Sequence, residues 1–145
     1  MDTSTSLAEN FAYPILDVKR LRTDFDYYAQ NLLYIHTKKD GIKKFRQNSV
    51  QKKMSAIFEG VCSRGKGIFY LLKARQMGIS TWCQGRIFHT VHMNPYTKAF
   101  VIANDEDGAQ NVFNMSRLYY DMLSEPYKPY IRYASKKGMV FENPK

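Results

Sequence analysis

Cysteine, acidic residues and long apolar runs are all scarce in this chain of 145 residues. Its two cysteines, Cys62 and Cys83, make neither a disulfide framework nor a Cys-x-x-Cys pair. They read as ordinary buried thiols of a reduced compartment. No apolar run approaches the roughly 20 residues of a membrane-spanning helix. The opening "MDTSTSLAEN" has no basic region followed by an apolar one, so no signal peptide is evident. Together these absences predict a cytoplasmic protein. Histidine is rare as well. His89 and His92 fall three apart on one predicted helix, but no third ligand stands at metal spacing, so they read as helix-surface or core residues. No Ser/His/Asp or Cys/His arrangement is evident, nor a carboxylate pair suited to a nuclease or hydrolase. There is no internal repeat and no low-complexity tract.

What is present is apolar and basic. Hydrophobic residues make up 44% and aromatics 14%, enough for one folded domain. Against 13 acidic residues stand 22 lysines and arginines, a formal charge of +9 that suits an anionic partner such as nucleic acid or nucleotide phosphates. The excess is local: residues 37–66 hold nine basic and two acidic side chains, whereas residues 1–36 hold three and five.

Residues 1–14 are polar and read as a loose lead. A helix is predicted over residues 24–33, with Thr23 as N-cap and Asp24 and Asp26 in the first turn, where the helix dipole favours anions. Residues 33–37 and 42–45 flank Asp40-Gly41 and predict a hairpin, because Gly accepts positive φ. Asn48 or Ser49 can cap a helix carrying Val50, Met54, Ile57, Phe58 and Val61 at helical spacing, ended by Gly60 and "SRGKG". "GIFYLLK" (67–73) and "KAFVIAN" (98–104) are nearly continuous apolar runs, the pattern of strands buried on both faces. A helix follows each, the first opened by Ser80 or Thr81 and stopped near Asn94-Pro95, the second opened by acids at 105–107. Two short strands around a Lys-Lys-Gly turn close the chain. Strand, loop, helix, strand, helix from Gly67 onward predicts an α/β domain with a parallel sheet.

The first of these loops invites closer reading. A phosphate site needs inward backbone N–H groups at a helix start, a Gly where the backbone approaches closely, a cation, and a Ser/Thr hydroxyl for Mg²⁺. The standard pattern G-x-x-x-x-G-K-[ST] aligns with Lys73-Ala74-Arg75-Gln76-Met77-Gly78-Ile79-Ser80. The second Gly and the Ser match. Lys73 stands at the first Gly, and Ile79 stands at the usual lysine. Pattern alone leaves an ordinary β–α turn open as the plainer reading. The predicted buried strand before the loop and helix after it are the setting a phosphate loop requires, and Lys73 and Arg75 put two cations on the loop.

"KARQMGIST" resembles the variant Walker A motif of large terminase subunits, the DNA-packaging ATPases of tailed bacteriophages. "TKKDGIKKFRQNSVQKKM", "AFVIANDEDGAQNVF" and "MVFEN" resemble, in order, the family's upstream adenine-reading segment, its second strand with the following helix, and the strand pair before its acidic motif. The resemblance spans roughly residues 33–144. It implies a partial P-loop NTPase fold, a parallel sheet with flanking helices, preceded by a helix and a β-hairpin. It divides the chain into residues 1–32, a polar segment and helix, and residues 33–145, the N-terminal portion of the ATPase domain. It implies ATP and Mg²⁺ as cofactors. The nucleotide-binding set would be Asn48, Gln51, Lys73, Gln76, Met77, Gly78, Ile79, Ser80 and Thr81. Within it, Gln51 would read adenine, Gly78–Thr81 would cradle the β- and γ-phosphates, and Ser80 would ligate Mg²⁺. Arg75 would be the catalytic arginine. Whether Lys73 or Arg75 replaces the usual lysine stays open, since a cation can reach the phosphates from either end of a short loop.

The implied activity is ATP hydrolysis coupled to moving double-stranded DNA into a procapsid in the host cytoplasm. The implied partners are DNA, the portal protein, a small terminase subunit and further copies in a ring. No apolar strand ending in Asp-Glu is found, because Asp105-Glu106 reads as a helix start, and no nuclease domain follows. The expectation is therefore an N-terminal fragment, a truncated gene or one part of a split subunit, with weak nucleotide binding and little turnover on its own. Two other readings stand: the first lobe of a helicase-like translocase, and a non-catalytic basic nucleic-acid-binding module with a vestigial loop. The lysines of the hairpin (Lys38, Lys39, Lys43, Lys44) and the tyrosines at 119, 120, 127, 130 and 133 could touch nucleic acid, with a solvated hairpin and aromatic packing as the plainer readings.

Overall fold

The computed structural model describes residues 15–142; the reading of residues 1–14 as a loose lead lies outside them. Among the described residues five α-helices and two antiparallel hairpins follow one another: α1 (Val18–Thr23), α2 (Phe25–Leu32), β1 (Tyr34–Thr37), β2 (Gly41–Lys44), α3 (Ser49–Cys62), α4 (Ile79–Met93), α5 (Glu106–Asp121), β3 (Ile131–Ala134) and β4 (Met139–Phe141). A single 3₁₀ turn, Glu125–Tyr127, joins α5 to β3.

The N-terminal helix is broken in two at Asp24. This residue ends α1 and caps α2, its Oδ1 accepting from the Tyr27 N–H at 2.9 Å. Thr23, the predicted cap, is the last residue of α1, and its hydroxyl turns back to the Lys19 carbonyl. A carboxylate suits the site better than a hydroxyl because it also complements the positive helix end. Phe25, Tyr28, Ala29 and Leu32 are buried along α2 at spacings of three and four.

The first hairpin lies where Asp40-Gly41 predicts it. Gly41, at φ +65°, supplies the left-handed backbone, and Ile35 pairs with Lys43. Asn48 caps α3 with a reciprocal box: its side chain accepts from the Gln51 N–H, and Gln51 Oε1 accepts from the Asn48 N–H, both at 2.9 Å. The helix runs through Gly60 to Cys62. Cys62, expected buried, is exposed.

α4 is the centre of the packing. Trp82, Gly85, Phe88 and His89 are buried on it, with Leu21, Phe25, Tyr28, Leu32, Leu33 and Phe45 on one side and Tyr119 and Leu123 on the other. Gly85 permits the close approach, since a Cβ there would sit 3.0 Å from Phe45 and 3.2 Å from Phe25. α1, α2 and α4 thus share one core.

The predicted parallel sheet is absent. Among the described residues the only ladders are β1–β2 and β3–β4, both antiparallel, so they do not form a P-loop NTPase core. Residues 67–73 and 98–103 belong to no ladder. Ile68, Tyr70, Leu72, Phe100 and Ile102 are 81–106% exposed, while Phe69 turns inward against Phe58. An apolar run shows that a segment can be buried in a sheet; a strand exists only when another backbone pairs with it. Here none does.

Candidate functional site

The loop between residues 73 and 81 crosses from the unpaired segment into α4. Two of its residues have left-handed backbones, Gln76 at φ +63° and Gly78 at φ +71°. Gly78 is the N-cap of α4, and no side chain caps this helix of 15 residues. The first-turn N–H groups of a helix have no partner within it and carry the positive end of its dipole.

α3 braces the loop. Gln51 Nε2 donates to the Gly78 carbonyl at 2.8 Å, and Asn48 Nδ2 donates to the Met77 carbonyl at 3.4 Å. With Oε1 held by the Asn48 N–H, both polar ends of Gln51 are engaged, and the residue is 4% exposed. Gly78 leaves room for this bridge, because a Cβ at that position would lie 2.8 Å from Gln51 Nε2.

The predicted site residues therefore meet, with distinct surroundings. Asn48, Gln51, Met77 and Gly78 are joined directly. Ile79 is buried at 5% exposure, so its side chain belongs to the core and not to the loop's open face. Ser80 is exposed; Thr81 is half-buried, and its carbonyl accepts from the Tyr119 hydroxyl at 3.2 Å. Lys73, Arg75 and Gln76 are exposed. Neither Lys73 nor Arg75 forms an ion pair among the described residues. Burial pushes the Cys83 thiol up, and the Lys73 charge partly opposes this.

The hairpin lysines are partly committed. Lys43 pairs with Asp40 at 2.8 Å, and Lys44 bonds the Asn31 carbonyl and lies 4.3 Å over the Tyr34 ring. Lys38, Lys39, Arg46, Lys52, Lys53, Arg64 and Lys66 are exposed. Of the tyrosines, Tyr119 is wholly buried, and burial raises its hydroxyl pKa; Tyr130 and Tyr133 are exposed. His89 and His92 are core groups. His89 Nε2 meets the Leu21 carbonyl at 2.8 Å, and His92 Nδ1 meets the Tyr28 hydroxyl at 2.6 Å. Burial lowers both imidazoles, His92 to about 4 against an opposing hydrogen bond that its ring donates to the Tyr127 backbone. Among the described residues no group of three or more His, Cys, Asp or Glu could hold a metal ion. Asp105 caps α5, its Oδ1 accepting from the Gly108 N–H at 2.6 Å.

Sequence reasoning missed a polar cluster beneath the loop. Trp82 Nε1 lies 3.1 Å from Gln47 Oε1 and 2.9 Å from Ser55 Oγ, Ser55 donates to Gln47, and Gln47 Nε2 donates to Asp26. It also missed Arg86, buried at 7% exposure among aromatic rings and paired with Glu59 at 3.1 Å. The available signal was a polar or charged residue amid apolar helix positions.

No protein-family model matches the chain, and a search of curated proteins finds no match. No helix among the described residues is long and apolar enough to cross a membrane.

Proposed function

We propose that the 73–81 loop holds the phosphates of ATP with Mg²⁺, and that the chain is the ATP-binding part of a terminase large subunit that drives double-stranded DNA into a procapsid. One observation carries the reading. The left-handed Gly78 opens a long helix whose first-turn N–H groups have no side-chain cap, and Gln51 and Asn48 fix that loop from behind. Such a helix start favours phosphate through both its free donors and its dipole. Lys73 and Arg75 are the cations at hand, with Arg75 neutralising the transferred phosphoryl group and Ser80 holding Mg²⁺. The reading rests on this loop and helix end and needs no parallel sheet. A portal protein, a small terminase subunit and further copies in a ring are the partners that go with it.

A non-hydrolysable ATP analogue with Mg²⁺ should raise the melting temperature, and Lys73→Ala or Ser80→Ala should abolish the shift. A second reading, a basic nucleic-acid-binding module, is favoured by the nine exposed lysines and arginines over residues 38–66. Calorimetry that shows no nucleotide binding while duplex DNA still binds with a steep salt dependence would replace the first reading with the second.

A further inference from the structure

We infer that the cavity bounded by α3, α4 and the extended segment before the loop binds a small amphipathic anion, with one carboxylate-type head on an aliphatic or aromatic body. The cavity is about 390 Å³, within the roughly 300–1,000 Å³ of small-molecule sites. Met54, Phe58, Phe69, Leu71, Trp82 and Ile87 give it apolar walls. Two charged residues line it: Lys98 is exposed at the rim, whereas the Arg86 side chain is only 8% exposed.

The surroundings of Arg86 identify the head group. Its guanidinium carbon lies 4.6 Å from the Phe25 ring centroid, 4.5 Å from Phe58 and 5.7 Å from Trp82. Ring faces attract the cation but replace no hydrogen-bond acceptor. Nη2 donates to Glu59 Oε1 at 3.1 Å, while Nε is buried with no partner. The pair is also lopsided. The Glu59 side chain is 55% exposed, so water screens its charge, whereas the Arg86 charge is held away from water. Burial accordingly pushes against the guanidinium's charge, and Glu59 restores it only in part. A ligand that fills the apolar space and brings one anionic oxygen to the guanidinium covers both deficits. A neutral apolar ligand covers only the first. A nucleotide would set several charges against dry walls, so this site is separate from the phosphate loop and does not depend on its role.

Trp82 is the only tryptophan in the chain and stands in the cavity wall, so its emission reports occupancy. The full chain is titrated with decanoate and with decanol, two bodies of equal length that differ in the head. The expected result is a saturable one-to-one change for decanoate, roughly tenfold tighter than for decanol, which is one charge-assisted hydrogen bond's worth of discrimination. Glu59→Gln removes a competing negative charge at an exposed position and should tighten decanoate while leaving decanol unchanged. Arg86→Met should erase the difference between the two; should that variant not fold, the Glu59→Gln comparison decides alone. Equal binding of decanoate and decanol, a change that never saturates, or a Glu59→Gln variant with unaltered decanoate affinity would each overturn the inference.

Discussion

Ile79 stands where a phosphate loop usually carries its lysine, and its side chain is 5% exposed. The preceding Gly78 turns the backbone into the left-handed region, which sends the next side chain inward and leaves Ser80 outside. A lysine at position 79 would have its ammonium in the core, so the cations of this loop stand before the glycine, at Lys73 and Arg75. Restoring the common pattern should therefore fail. Ile79→Lys is expected to lower stability by at least about 2 kcal/mol, through a lost apolar side chain and a buried charge, without improving nucleotide binding. Urea denaturation together with calorimetry reads both effects. Tighter ATP binding in this variant would show that the side chain reaches the open face after all.

At the scale of elements, the α2–α4 contact carries a pH dependence. Tyr28 on α2 meets His92 on α4, and His89 meets the last turn of α1. Both histidines have folded-state pKa values below the ordinary 6.5, His92 at about 4. The unfolded chain thus binds more protons between these limits, and stability is full above about pH 6.5 and declines toward pH 4. At about 1.4 kcal/mol per unit, His92 alone accounts for a loss on the order of 3 kcal/mol. Urea midpoints measured from pH 7.5 to 4.5 should fall, and a flat profile would remove His92 from the core.

The legible elements are those specified locally. Asp40-Gly41 fixes a turn, Asn48 and Gln51 fix a helix start within three residues, and α2 shows its buried face by spacing. The candidate site was legible for the same reason, since Gly78 and its neighbours form one short loop. The strands expected at 67–73 and 98–104 were not legible, because pairing is a relation to distant backbone that composition does not record. The Gln51–Gly78 bridge and the Arg86 cage also join residues 27 apart, and no local pattern announces them.

On the scale of the whole molecule, Ile68, Tyr70 and Leu72, and likewise Phe100 and Ile102, expose their apolar side chains along two short stretches. Exposed apolar runs beside unpaired backbone favour association. The double variant Tyr70→Ser, Leu72→Ser should bind less of a hydrophobic dye and self-associate less by light scattering, while its melting temperature stays near that of the parent, since both side chains are at least 92% exposed. A large drop in melting temperature would mean that they are packed in solution. The central place of α4 has a consequence for synthesis. Tyr28 and His92 are 64 positions apart, and Leu21 and His89 are 68 apart. At roughly 5–20 residues per second on the ribosome, the apolar stripe of α2 precedes its main partner by roughly 3–13 s. In that interval the hairpin offers Phe45 as a first contact for Phe25, so the nascent chain depends on the hairpin to shelter α2 until α4 emerges.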